Sequence, residues 1–422
     1  MASSTRTTTG DRTGDSGGAR LTRVVAMSSL VLLAGSYVVN AMDRQVFPVV
    51  LPPIRAEYGF SLAAGGLLAT IFTLGIGLAG IPSGYLLDKL SRKAVMLLGI
   101  SIFSAFTLLT TVAVGFGDMF AYRALSGVGE AMQNAALFSA VGAYFFANRA
   151  MALGALNFAY GVGGFLGPYL GAKMAAGGAW RVPFHVYGIT GFVFVAVIAL
   201  LIRKKFTEQV EVRAGGIALT AEHVPPRLLN RNILLLGLTA VVVGMSMYGY
   251  LGLYPTFLKN QLGFTLGQGG TALSMFGLGA LVGLPAGYLG DKLNQKWVLI
   301  VALLAGCVVG YLIFNGPTSY SAQLVLSFGE GAIGSGFLFV NVYSAMQRAV
   351  RPHMIGRASG VFNTCLYIPS SVAGYLFGVL VGGLSWGAAG LIQLTLLPLV
   401  GVAAMAFVQT QQLSNATVAP GH

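Results

Sequence analysis

Charge is scarce in this 422-residue sequence: Asp, Glu, Lys and Arg together make up 9% of it. That is too little to cover a water-soluble surface, which sets aside a two-domain soluble enzyme. The two cysteines, Cys307 and Cys365, both lie in apolar runs and fit no ligand spacing. A disulfide framework and a thiolate metal site are thereby excluded. No nucleophile–base set or metal-ligand group is visible, so neither an enzyme nor a bound cofactor is expected. The net charge of +13 is not concentrated in a basic helix, an aromatic-interleaved patch or a zinc pattern. Nucleic acid is therefore not an expected partner.

What is abundant is apolar. Hydrophobic residues make up 55% of the chain, and the mean hydropathy is +0.77. Runs of roughly 20 apolar residues recur from near Val24 to near Val408, the length that crosses a hydrocarbon core. They predict an all-α membrane protein with twelve spans in two six-helix bundles, embedded in a lipid bilayer. The first six fall near 24–50, 62–87, 94–114, 118–145, 150–175 and 181–202, with PPIRAEYG read as an external turn after the first. The second six fall near 231–256, 267–290, 297–314, 319–347, 356–380 and 384–407. The 60 glycines suit such a chain, because small residues let membrane helices approach closely. A disordered cytoplasmic tail is expected at 1–23, and a second tail at 409–422. The polar stretch 203–230 is expected to link the bundles and to contain a short surface helix.

The stretch GIPSGYLLDKLSRK at Gly80 to Lys93 returns as GLPAGYLGDKLNQK at Gly283 to Lys296, with nine of fourteen positions identical. YGFSLAAGG at Tyr58 to Gly66 returns as LGFTLGQGG at Leu262 to Gly270, at an offset larger by one. Two such echoes make the halves parallel repeats. Placing the amino terminus inside puts 19 of the 25 basic residues in the tail and in every second loop. The Lys/Arg bias then calls for an even number of spans with both termini cytoplasmic, in a bacterial inner membrane.

Ionisable residues inside the spans are costly and are therefore candidate functional groups: Asp43, Arg44, Arg123, Glu130 and Glu330. Tyr37, Asn40 and Arg44 share one stripe of the first helix. Arg123, Glu130 and Gln133 share a face of the fourth. Two acids and two guanidiniums at low dielectric can exchange partners, so that a protonated Asp43 or Glu130 frees an arginine for a carboxylate substrate. Glu330, on the tenth helix, either couples to the proton, perhaps by meeting Arg44, or is a hydrogen-bonded structural acid. An opposite, aromatic wall is expected from Tyr160, Tyr248, Tyr254, Asn363 and Tyr367.

The repeated motif resembles the signature of the major facilitator superfamily in Gly84, Asp88, Lys89, Arg92 and Lys93, with Ser91 in place of a glycine. Its degenerate second form is carried by Gly287, Asp291, Lys292 and Lys296. The resemblance implies rocker-type alternating access and an ion-paired cytoplasmic gate around these residues. NAMDRQVFPVVLP at Asn40 to Pro52 and RALSGVGEA at Arg123 to Ala131 resemble the proton-coupled anion:cation symporters. By that likeness Asp43, Arg44, Arg123 and Glu130 serve coupling and anion binding, the partners being a proton and a small organic anion such as a sugar acid, and a monomer being the working unit. Spinster-like carriers of lysophospholipids share the same arrangement and form the nearest alternative. A small-dicarboxylate antiporter and a non-transporting membrane sensor are further ones.

Overall fold

The computed structural model describes residues 22–145, 149–208, 224–351 and 354–414. Most of the expected first tail, residues 209–223 of the expected linker and most of the closing tail lie outside them, as does the side chain of Asp291. Among the described residues all regular structure is helical. In chain order the long helices are α1 (Arg23–Tyr58), α2 (Leu62–Lys89), α3 (Arg92–Thr110), α4 (Phe116–Tyr144), α5 (Arg149–Met174) and α6 (Arg181–Leu201). The second half continues with α7 (Arg231–Leu262), α8 (Leu266–Gly290), α9 (Gln295–Asn315), α10 (Tyr320–Arg348), α11 (Ile355–Gly383) and α12 (Trp386–Ala406). A five-residue helix, Lys204–Glu208, opens the linker.

Ten of these helices are long and apolar enough to cross a membrane, against the twelve spans expected. The other two, α4 and α5, reach 29 and 26 residues but are less apolar. Glu130, Gln133 and Asn134 dilute α4, while Asn157, tyrosines and glycines dilute α5. Hydropathy thus weakens where the polar face of the molecule is built.

Local signals set the helix ends, and they repeat. Ser61 accepts a hydrogen bond from the Ala64 N–H at the start of α2, and Thr265 forms a capping box with Gln268 at the start of α8. α1 and α7 both stop at a left-handed glycine, Gly59 (φ 70°) and Gly263 (φ 68°). The expected turn PPIRAEYG is instead the last part of α1, which carries Pro48, Pro52 and Pro53 inside the helix and stops only at Gly59. The one-residue change in repeat offset also has a location: α8 breaks at Leu281 and Val282, just before its copy of the motif.

Close backbone approaches repeat as well. A Cβ on Gly127 of α4 would run into the Phe72 carbonyl of α2, and one on Gly331 of α10 would run into the Phe276 carbonyl of α8. The two halves are thus packed by one plan.

One apolar core, with Val50, Leu68, Phe72, Leu251, Phe276 and Phe377 among its members, is shared by both halves. Two others stay within a half, one around Ile100, Leu137 and Ile198 and one around Leu303, Met346 and Phe362. The halves meet through α1 with α7, α2 with α11, and α5 with α8. At the shared end Gly66 abuts Gly374, Gly378 abuts Ala63, and the Thr70 hydroxyl donates to the Ser371 carbonyl at 2.8 Å. At the opposite end, a Cβ on Gly80, Gly84, Gly356 or Gly360 would meet nothing within 4 Å. The halves therefore close at the Gly59 and Gly263 end and part at the end bearing the repeated motif.

Candidate functional site

The four intramembrane charges expected to form one network are brought together by α1 and α4, and they pair crosswise. Arg44 Nε donates to Glu130 Oε2 at 2.9 Å, and Arg44 Nη2 donates to Asn40 Oδ1 at 3.3 Å. Arg123 Nη1 lies 3.6 Å from Asp43 Oδ2. All four side chains are at most 2% exposed. The second pair is an ion contact without a hydrogen bond, since 3.6 Å exceeds bonding range. Both Asp43 oxygens and all three Arg123 nitrogens lack hydrogen-bond partners, as does Glu130 Oε1. A buried pair this loosely satisfied does little to hold helices together, and removal of either member strands the other.

Aromatic rings fix both guanidiniums. Phe72 faces Arg44 at 5.8 Å and Arg123 at 5.4 Å; Phe47 covers Arg123 at 5.1 Å and Tyr160 covers Arg44 at 5.6 Å. Phe72 stands next to the break in α2 at Ile71, where Gly127 admits its backbone to α4. Below Arg44, Asn40 donates to Gln133 Oε1 at 2.8 Å and Gln133 donates to Ser36 Oγ at 3.1 Å. Asn40 and Gln133 thus hold Arg44 in place from behind.

A cavity of about 390 Å³ reaches Arg44 from the parted end. Of the expected binding residues, Tyr37, Arg44, Tyr160, Tyr248 and Tyr367 line it. Arg123 is sealed behind, wholly buried against Phe47 and Phe72. Tyr254 is elsewhere: its hydroxyl donates within the second half to the Gln323 carbonyl at 3.1 Å. Asn363 lines a separate cleft of about 780 Å³ with Gly84, Tyr85, Asp88 and Arg357. Sequence reasoning passed over Met247, Leu251, Phe276 and Phe339, which carry no polar signal yet line the cavity. The repeat contained that signal, because Met247 and Tyr248 stand where the first half has Asp43 and Arg44.

Glu330 does not meet Arg44, whose carboxylate partner is Glu130. It lies in a space of about 20 Å³ with Ser246, Met247 and Leu394, and its Oε2 has no hydrogen-bond partner. By the spacing of Gly127 and Gly331 its first-half counterpart is Ser126, not Glu130, so the two acids are not repeat equivalents.

The motif residues work within each half. Lys93 donates to the carbonyls of Ala199 (2.8 Å) and Ile202 (2.6 Å) at the end of α6. Lys296 does the same at the end of α12, with Ala406 (2.6 Å) and Val408 (3.4 Å). Cations on exposed helix-terminal carbonyls are favoured by the helix dipole. Arg92 donates to the Thr207 carbonyl, and the Glu208 carboxylate accepts from the Arg92 and Lys93 N–H groups. Lys292 sits 4.6 Å from the Tyr288 ring, and Lys89 is exposed. Among the described residues Asp88 is exposed and in no ion pair, so the expected gate is parted at this point.

Apolar helices around a blind cavity with a buried guanidinium at its end define a membrane transporter. The sequence profile of the Major Facilitator Superfamily matches residues 33–374, and the chain belongs to that family, whose members are transporters and not enzymes. It is 24% identical over 386 residues to a probable L-galactonate transporter of Escherichia coli (strain K12), covering 86% of this chain and 85% of that protein. A hexuronate transporter of Bacillus subtilis (strain 168) is 22% identical over 366 residues, covering 82% and 86%. Among solved structures, a bacterial homolog of the human lysosomal transporter Spinster, inward-facing and occupied, superimposes with a TM-score of 0.74 at 19% identity. That match covers 92% of this chain and 97% of the other, and it shows the shared fold.

Proposed function

We propose that the protein carries a small organic anion together with protons by alternating access, as a monomer in a bacterial cytoplasmic membrane. In this reading twelve spans form two bundles, 24–202 and 231–408, with both termini in the cytoplasm. The observation that carries it is Arg44, a cation at the blind end of a cavity whose partner, Glu130, can take a proton. The relatives named for L-galactonate and hexuronate support an anionic cargo.

A proton reaching Glu130 removes the charge that holds Arg44, and the guanidinium then binds the substrate carboxylate. Asp43 and Arg123 form a second exchange pair behind Phe72, so that a proton on Asp43 leaves Arg123 to share Glu130. The parted ends at Asp88 and Asp291 make this the inward-open arrangement, from which anion and proton leave. The halves then rock about the Gly66 and Gly374 contact, and the motif loops close.

The test is anion uptake into proteoliposomes with and without an acid-outside pH gradient, in the wild type and in Asp43→Asn and Glu130→Gln. The expected result is gradient-driven uptake in the wild type that loses its gradient dependence in one or both variants. Uptake indifferent to the gradient in the wild type would sink the coupling.

A further inference from the structure

The two walls of the cavity descend from one repeated unit, yet only one of them is charged. At the offset set by Gly59 and Gly263, the positions of Asp43, Arg44, Phe47 and Phe72 are taken in the second half by Met247, Tyr248, Leu251 and Phe276. All four of the latter line the cavity. The positions of Arg123 and Glu130 are taken by Ser327 and Gly334, and Ser327 is engaged with the Tyr250 hydroxyl at 2.7 Å. The second wall thus keeps the shape of the first and loses its ions.

Arg44 is the one charged side chain lining the cavity. Arg123 is out of reach behind Phe72 and Phe47, so a second carboxylate on the substrate would have no cation to meet. The amides near Arg44 are already spent, Asn40 on Gln133 and Gln133 on Ser36. A polyhydroxylated body set against Met247, Leu251 and Phe276 would leave hydroxyls unpaired, at about 1–3 kcal/mol each. An apolar body gains from the same surface.

From this asymmetry we infer that the substrate is a monocarboxylate with a compact apolar body of ring size, its carboxylate on Arg44 and its body against Met247, Leu251 and Phe276. The inference rests on the anion-transport reading and narrows it.

The experiment is gradient-driven uptake by the full chain in proteoliposomes, with labelled benzoate, glucuronate, succinate and lysophosphatidylcholine measured separately. Benzoate is expected to enter with a kcat/KM at least tenfold above each of the other three. Leu251→Asn is expected to raise the benzoate KM about tenfold and to leave kcat within twofold, a split that general misfolding does not produce. Gradient-driven uptake of glucuronate or succinate at the benzoate rate or above would overturn the inference and leave proton-coupled anion transport standing. Lysophosphatidylcholine uptake without benzoate uptake would overturn it as well. No gradient-driven uptake of any probe would overturn both readings.

Discussion

The first and second halves of this chain share a backbone plan and differ in chemistry. Gly127 against Phe72 and Gly331 against Phe276 are the same helix contact made twice, and Lys93 and Lys296 tie the same helix ends. Yet the first half buries two acids and two arginines across α1 and α4, while the second places Met247, Tyr248, Ser327 and Gly334 at those positions. The difference teaches that the framework tolerates the loss of its ions: close packing of small residues holds the helices, and the charges are free to serve transport.

The strongest test of that division replaces the ion in one wall and its neutral counterpart in the other. Arg44→Ala should lower kcat/KM for uptake at least about 100-fold, because it removes the anion site and strands Glu130, a cost of about 3–5 kcal/mol. Tyr248→Ala should cost about tenfold or less in the same vesicle assay. Equal losses would break the comparison.

Next in size is the pH response. Glu130→Gln should abolish the several-fold stimulation by an acid-outside gradient. Glu330→Gln should change it less than twofold, because Glu330 lies outside the cavity and has no arginine partner among the described residues. A flat profile in Glu330→Gln would move proton coupling into the second half.

Packing should answer alike in both halves. Gly127→Leu and Gly331→Leu each overpack the same contact by about 1–3 kcal/mol. Both should lower the melting temperature in detergent by several degrees and by similar amounts. The smallest effect is expected from Lys93→Met and Lys296→Met, about 0.3–1 kcal/mol each from lost helix-end capping. Chemical denaturation of the two variants measures it.

Much of this was legible in the sequence. The duplicated motif located the repeat, apolar length located most helices, and the spacing of Arg123 with Glu130 placed both on the face that meets α1. Spacing along a helix cannot show which acid meets which arginine across helices, so the crosswise pairing came only with the fold. Tyr254 and Asn363 misled because polarity marks a residue that needs a partner and not which partner it finds. Met247 and Leu251 were silent for the opposite reason: apolar groups in an apolar helix stand out only when set against their charged counterparts. The motif cations were expected at a gate and instead bind carbonyls within their own half, where a helix end offers acceptors at all times.

The closed end carries a mechanical consequence. Gly66 on Gly374 and Ala63 on Gly378 form a seam without ions, fastened by the Thr70 hydroxyl on the Ser371 carbonyl. Parting such a seam forfeits short-range dispersion and breaks no ion pair, so its resistance is set by surface lost and not by ionic strength. The external opening step should therefore proceed at the same rate in dilute and in concentrated salt, and a bulkier side chain at Gly66 should act as a wedge that biases the resting state outward.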